Sequence, residues 1–210
     1  MSYSFKLGIL AAAVMAAAPM AHAYEAGDFI GRLGAATVAP NASSDEIAGG
    51  RVDVDNDTQL GLTATYMLTN QIGVGILAAT PFKHDIKGDG ALSAAGKLAE
   101  TKHLPPTVTL QYFPMPSGSK FQPYVGAGLN YTTFFDEKTA GILKGKNIRL
   151  DDSFGLAGEL GADYMVTDKV GVNAAVWYVD IDTEAQIEGF DAFDVSIDPW
   201  VYMVGVSYKF

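Results

Sequence analysis

Between Leu60 and Leu68 every second residue is apolar or aromatic. Leu60, Leu62, Ala64, Tyr66 and Leu68 alternate with Gln59, Gly61, Thr63, Thr65 and Met67. The same alternation sets Phe121, Val125, Ala127, Leu129 and Tyr131 against Gln122, Gly126, Gly128, Asn130 and Thr132. It recurs where Phe154, Leu156, Leu160, Ala162, Tyr164 and Val166 oppose Ser153, Gly155, Ala157, Glu159, Gly161 and Asp163. A period of two places successive side chains on opposite faces of an extended strand. Eight such strands are predicted, over 27–39, 58–68, 72–83, 103–113, 121–135, 152–166, 170–182 and 196–210. The last carries Trp200, Tyr202, Val204, Val206, Tyr208 and Phe210 on one face.

The face opposite the apolar one is rich in Gly, Ala, Ser and Thr, which suits the crowded interior of a narrow closed sheet. Aromatic residues gather near strand ends, as in the two interfacial girdles of a membrane barrel. The connections at 69–71, 114–120 and 167–169 are short, and those at 40–57, 84–102, 136–151 and 183–195 are long and polar. Together these features predict an all-β fold: an eight-stranded antiparallel transmembrane β-barrel with short periplasmic turns and long extracellular loops. The alternative, a soluble lipocalin-like barrel, would turn the apolar face inward. In the membrane reading Trp200 sits at the outer interface, and Tyr208 and Phe210 sit at the inner one, where amphipathic rings prefer to lie.

The first residues stand apart from this pattern. Lys6, an apolar run from Leu7 to Ala18, and Ala21-His22-Ala23 read as a secretory signal peptide, residues 1–23, cleaved after Ala23. Residues 24–210 then form a single barrel domain. The chain has no cysteine, so neither disulfides nor a thiolate zinc site can staple it in an oxidising compartment. Without Lys6 the balance is 13 basic residues against 24 acidic ones. An acidic chain is a poor partner for nucleic acid, which requires a basic face.

Eight strands enclose a space that side chains nearly fill, so a wide aqueous pore is excluded on geometry. Parity turns Gly73, Gly75, Leu77, Ala79 and Pro81 of the third strand inward, with Gly171, Asn173, Ala175, Trp177 and Val179 of the seventh. Leu77 and Trp177 lie near mid-strand, as a gate or as simple core packing. Arg32 and Asp163 also face inward near the periplasmic end, with Glu159 one layer higher. A guanidinium inside a narrow barrel is costly without a carboxylate, so an Arg32–Asp163 or Arg32–Glu159 pair is expected. Thr80-Pro81-Phe82 ends the third strand and Leu104-Pro105-Pro106 begins the fourth, both at the outer end. Proline donates no ladder hydrogen bond. Pro81, Pro105 and Pro106 therefore predict an interrupted seam between neighbouring strands, and with it a lateral opening to the bilayer.

Catalysis is not expected. His84, His103, Asp85 and Ser93 lie near one another in sequence, but carry no recognised nucleophile spacing. As loop residues they read as solvated rather than as metal ligands. Nothing in the sequence calls for a cofactor.

The stretches EAGDF (25–29), NDTQLGLTATYM (56–67), IGVGILAATPFKH (72–84), HLPPT (103–107), FQPYVGAGLNYTTFFD (121–136), DDSFGLAGELGADY (151–164) and VWYVDIDT (176–183) resemble the OmpW family of outer-membrane proteins. That family includes the alkane-uptake proteins of hydrocarbon-degrading bacteria. The resemblance covers nearly all of 24–210, least in the long loops. It implies an eight-stranded barrel in the Gram-negative outer membrane with a narrow, largely apolar lumen that passes small hydrophobic molecules, and matches Leu77 and Trp177 to positions that line or gate it. A terminal aromatic residue also resembles the signal read by the barrel-assembly machinery. The competing expectation is a structural or receptor barrel whose loops meet lipopolysaccharide, bacteriocin, phage or host partners without transport.

Overall fold

Each alternating segment finds an antiparallel neighbour on both sides, and the ring of pairings closes. The computed structural model describes residues 24–44 and 50–210; the expected signal peptide, 1–23, lies outside them. The staves are β1 (Phe29–Ala39), β4 (Asp57–Met67), β5 (Ile72–Ala79) continued by β6 (Phe82–Gly90), and β7 (Lys97–Leu104) leading into β8 (Thr107–Tyr112). They continue with β9 (Phe121–Thr139), β11 (Ser153–Met165), β12 (Val170–Val179) continued by β13 (Asp182–Ile187), and β14 (Phe193–Ser196) leading into β15 (Trp200–Lys209). Short strands β2 (Ser43–Ser44), β3 (Gly50–Val54) and β10 (Ile148–Leu150) lie in the long connections. Around the barrel the order is β1, β4, β5, β8, β9, β11, β12, β15, and β15 pairs back onto β1. Closure leaves no free edge around the apolar belt, where an unpaired backbone group would have no water to bond.

The greasy face points out. Leu60, Leu62, Leu110, Leu156, Leu160, Val204 and Val206 are all exposed. Below this band Phe29 is opposite Tyr66 and Phe121 is opposite Tyr164, with Tyr112, Tyr208 and Phe210 also exposed. Above it Tyr131 is opposite Phe154 and Tyr178 is opposite Trp200. Two aromatic girdles thus bracket an apolar belt, with Trp200 in the upper one and Tyr208 and Phe210 in the lower. That surface is stable only against lipid.

Two expectations from the sequence are corrected. The third stave is not one continuous strand. Leu77 and Ala79 lie on its inward set, whereas Thr80 and Pro81 are both exposed, and Phe82 and His84 resume the inward set. Pro81 therefore faces outward. Two consecutive outward residues shift the phase of the alternation between β5 and β6, which period-two counting across the proline could not register.

The long connections are also not irregular loops. Within them β3 pairs with β6, β6 with β7, and β7 with the upper part of β9. β10, β13, β14 and β2 form a second, four-stranded sheet. The barrel is thereby prolonged above the outer girdle as a walled extension. Its alternation was masked in sequence because each apolar run is short and shares its connection with many charges. Val52, Val54, Ile86, Leu98, Ile148 and Val195 nevertheless alternate well enough to line an interior.

Candidate functional site

The interior has three levels. At the bottom, aromatic and thioether side chains pack across the barrel. Tyr24, Ile30, Met67, Phe113 and Met165 are each less than 2% exposed. Tyr24 meets Phe113 edge-on at 5.4 Å between ring centroids, and Phe113 meets Tyr124 at 5.1 Å.

Immediately above is a connected polar layer. The Arg32 guanidinium donates to Asp163 through Nε (3.0 and 3.1 Å) and Nη2 (2.6 Å). This two-pronged geometry is the strong form of an Arg–carboxylate contact. Nη1 donates to Thr65 Oγ1 at 2.7 Å, and the guanidinium carbon lies 4.9 Å from the Tyr124 ring centroid. Thr65 donates to Gln111 Oε1 at 2.9 Å, and Gln111 Nε2 donates to both oxygens of Glu159, at 3.0 and 2.9 Å. Thr109 also donates to Glu159, at 2.7 Å, the Trp177 side chain is hydrogen-bonded to the same carboxylate, and Asn173 Nδ2 donates to Asp163 Oδ1 at 3.0 Å. Of the two carboxylates expected as partners of Arg32, the structure brings Asp163 into direct contact. Glu159 joins through Thr65 and Gln111. Gly126 makes room for this layer: a Cβ there would stand 2.9 Å from Glu159 Oε2. Gly161 does the same for Tyr124, whose ring occupies the space its side chain would need.

Higher still lie Leu77 and Trp177, both inward and buried, at 6% and 1% exposure. Leu77 is opposite Thr107 and is the uppermost β5 residue in the β5–β8 ladder. Trp177 is opposite Glu159 and Val201, so it stands at the boundary between the polar layer and the apolar space above.

The ladder breaks just above Leu77. Pairing between the two staves ends at Leu77–Thr107 and resumes at Phe82–His103. Residues 78–81 and 104–106 fall in the gap. On their other flanks the two staves stay paired: Thr80 N–H continues the ladder to the Leu60 carbonyl, and the Pro106 carbonyl accepts from Tyr131 N–H, while the Pro105 carbonyl accepts from Thr107 Oγ1. Pro105 faces inward and Pro106 outward. The gap opens at the level of the outer aromatic girdle.

Inside the extension, directly above this gap, is a cavity of about 130 Å³. Its wall is hydrocarbon, drawn from β3, β6, β7, β9, β10, β13 and β14. Ring side chains form its lower part. Phe82, His84 and His103 stack at mutual centroid distances of 4.9 to 6.4 Å, and Phe134 tilts against His103 at 5.9 Å. The two histidines were expected to be solvated. They are 2% and 3% exposed, because β6 and β7 are paired strands whose inward set includes them. Sequence reading missed the cavity wall for the same reason.

The histidines form no catalytic triad. His84 Nδ1 contacts the Asp55 carbonyl oxygen at 2.5 Å, and Ser93 Oγ donates to the Gly90 carbonyl. Among the described residues no cluster of three or more His, Asp or Glu side chains is arranged to hold a metal ion. Burial, reinforced by the neighbouring His84, pushes His103 down to about 3. His84 is also lowered by burial, against the opposing influence of Asp55, Asp57 and Asp85.

The sign of the pH dependence follows. The folded state holds His103 neutral, while an unfolded histidine takes up a proton near pH 6.5. Stability from this site is therefore complete above about pH 6.5 and is lost progressively as pH falls toward 3. Amide exchange of β6 and β7, corrected for intrinsic rates, should show weaker protection at pH 4.5 than at pH 7.5. The difference should shrink in a His103→Phe variant.

The OmpW family's sequence profile matches residues 25–210. Outer membrane protein W of Vibrio cholerae serotype O1 is 48% identical, over 97% of this chain and 97% of that protein. Outer membrane protein AlkL of Ectopseudomonas oleovorans is 27% identical, over 81% of this chain and 74% of that one. Among solved structures, the outer membrane protein OprG from Pseudomonas aeruginosa superposes with a TM-score of 0.84 at 50% identity, covering 90% of this chain and 98% of that chain.

Proposed function

This chain belongs to the OmpW family of Gram-negative outer-membrane β-barrels, and we propose that it takes up small hydrophobic molecules and releases them sideways into the bilayer. The ligand enters the apolar chamber of the extension from outside the cell. It passes the ring side chains at the chamber's lower end and leaves through the gap bounded by Thr80, Pro81, Pro105 and Pro106. Leu77 and Trp177 act beneath the gap as a deflecting floor, not as a gate to the periplasm. The route avoids the Arg32–Asp163 layer, because transferring a greasy molecule past a buried ion pair would break bonds it cannot replace.

The observation that carries this reading is the coincidence of the chamber with the missing ladder bonds. His103 lines the chamber and is also the residue at which pairing resumes above the gap. A hydrocarbon gains in both places, since burying apolar surface yields about 25 cal/mol per Å². The family's alkane-uptake members point the same way.

The test is initial uptake of labelled toluene by cells with an intact lipopolysaccharide layer. The protein should raise the rate about tenfold. Ala185, 2% exposed and part of the chamber wall, should cancel the gain when replaced by phenylalanine. An unchanged rate in cells shown to carry the folded barrel would remove the transport reading and leave a structural or receptor role.

A further inference from the structure

The chamber's chemistry is not uniform. Four of its lining residues carry polar side-chain atoms: Thr101, Thr183, His84 and His103. The two hydroxyls are spent, Thr101 on the Lys102 carbonyl and Thr183 on the Asp151 carbonyl. The imidazoles are not. His84 Nε2 and both ring nitrogens of His103 are buried and have no hydrogen-bond partner. Buried polar atoms without partners are rare, and each forfeits the water it bonded in the unfolded chain.

The roles of these three nitrogens can be assigned. A carbonyl oxygen only accepts, so the contact with Asp55 puts the proton of His84 on Nδ1. A neutral His84 then presents Nε2 as a lone-pair acceptor. Neutral His103 offers one N–H donor and one acceptor. The two rings lie nearly parallel, 11° apart, with centroids at 4.9 Å. One small group complements such a pair: a hydroxyl, whose O–H donates to His84 Nε2 while its oxygen accepts from the His103 N–H.

We propose that His84 and His103 form a specificity site, selecting uncharged hydroxylated ligands, an alcohol or phenol with a compact apolar body, over the corresponding hydrocarbons. The inference rests on the chamber being the ligand site, and it narrows the class of molecule held there. A volume near 130 Å³ limits the body to about one six-membered ring, since an apolar cavity of about 150 Å³ accommodates benzene. Charged ligands are excluded because the wall offers no counter-ion. The nitrogens lie behind the hydrocarbon surface of the wall, so both imidazoles must turn toward the chamber when a hydroxyl binds. A bare hydrocarbon leaves all three nitrogens unpaired.

The experiment compares p-cresol, 4-methylanisole and toluene, titrated against the full barrel in lipid nanodiscs and corrected for partition into empty nanodiscs. 4-Methylanisole keeps the oxygen and loses the donor. On the unaltered protein p-cresol should bind about tenfold more tightly than either competitor, the scale of two modest net hydrogen bonds. In His103→Phe, which keeps a ring and removes both nitrogens, p-cresol should lose its advantage over 4-methylanisole and toluene measured on the same variant. Equal binding of p-cresol and 4-methylanisole to the unaltered protein overturns the proposal without needing any variant. So does a cresol preference that survives His103→Phe. If toluene, 4-methylanisole and p-cresol all fail to bind, the chamber is not a ligand site and the transport reading falls with it.

Discussion

Replacing Asp163 with alanine should destabilise the barrel by about 3–5 kcal/mol, the cost of leaving one partner of a buried ion pair uncompensated. The mechanism is specific. Arg32 is 2% exposed and directs three of its hydrogen bonds at Asp163. With the carboxylate gone, the nearest other carboxylate in the network is Glu159, already held by Thr109 and Gln111. Glu159 is linked to Arg32 by hydrogen bonds that run through Gln111 and Thr65. Asn173 would lose a partner as well. Urea unfolding from lipid bilayers, followed by tryptophan emission or gel mobility, measures the loss. The double variant Arg32→Met/Asp163→Leu should recover most of it, because hydrophobic replacement of a whole buried pair is often neutral or better. A single-variant loss below about 1 kcal/mol would mean that water already reaches the layer and screens it.

Bridging the gap between the third and fourth staves should lower hydrocarbon uptake at least tenfold. Ala79 and Pro105 face inward on either side of the unpaired stretch. The chain contains no cysteine, so Ala79→Cys/Pro105→Cys supplies the only two thiols. A short bis-methanethiosulfonate linker would tie them without demanding the narrow geometry of a direct disulfide. Uptake should fall when the linker is added and recover on reduction. Reversal separates closure of the wall from damage caused by losing Pro105. Full uptake through the bridged barrel would rule out the lateral route and direct attention to Leu77 and Trp177 as an axial gate.

The staves and their inward and outward faces could be read from sequence because lipid on one side and a narrow interior on the other impose a strict period of two. Leu60 to Leu68 is a clear instance, and one residue of slippage would turn every leucine inward. The polar layer was legible for a related reason: a lone inward arginine demands a carboxylate, and Asp163 and Glu159 were the candidates at the right height. Distinguishing direct contact from relay required the positions of Thr65 and Gln111, which depend on how β4 and β8 meet through β5. The prolines announced an interruption, but not that Thr80 and Pro81 would both turn outward. The chamber was least legible. Its wall comes from seven strands, several of only three to six residues, and its apolar positions are diluted by exposed lysines and acids. Val52, Leu98, Ile148 and Val195 form a surface only once four long connections have paired. His84 and His103 look like loop residues until that pairing buries them.

The packed lower barrel has a consequence for the cell that makes it. An outer membrane is useful as a barrier to bile salts, dyes and antibiotics, and each conducting pore weakens it. With Tyr24, Phe113 and Met165 beneath the Arg32–Asp163 bridge, an ion or a polar toxin meets packed side chains among the described residues of this floor. In the uptake role proposed above, many copies could be inserted without loss of the membrane's insulation.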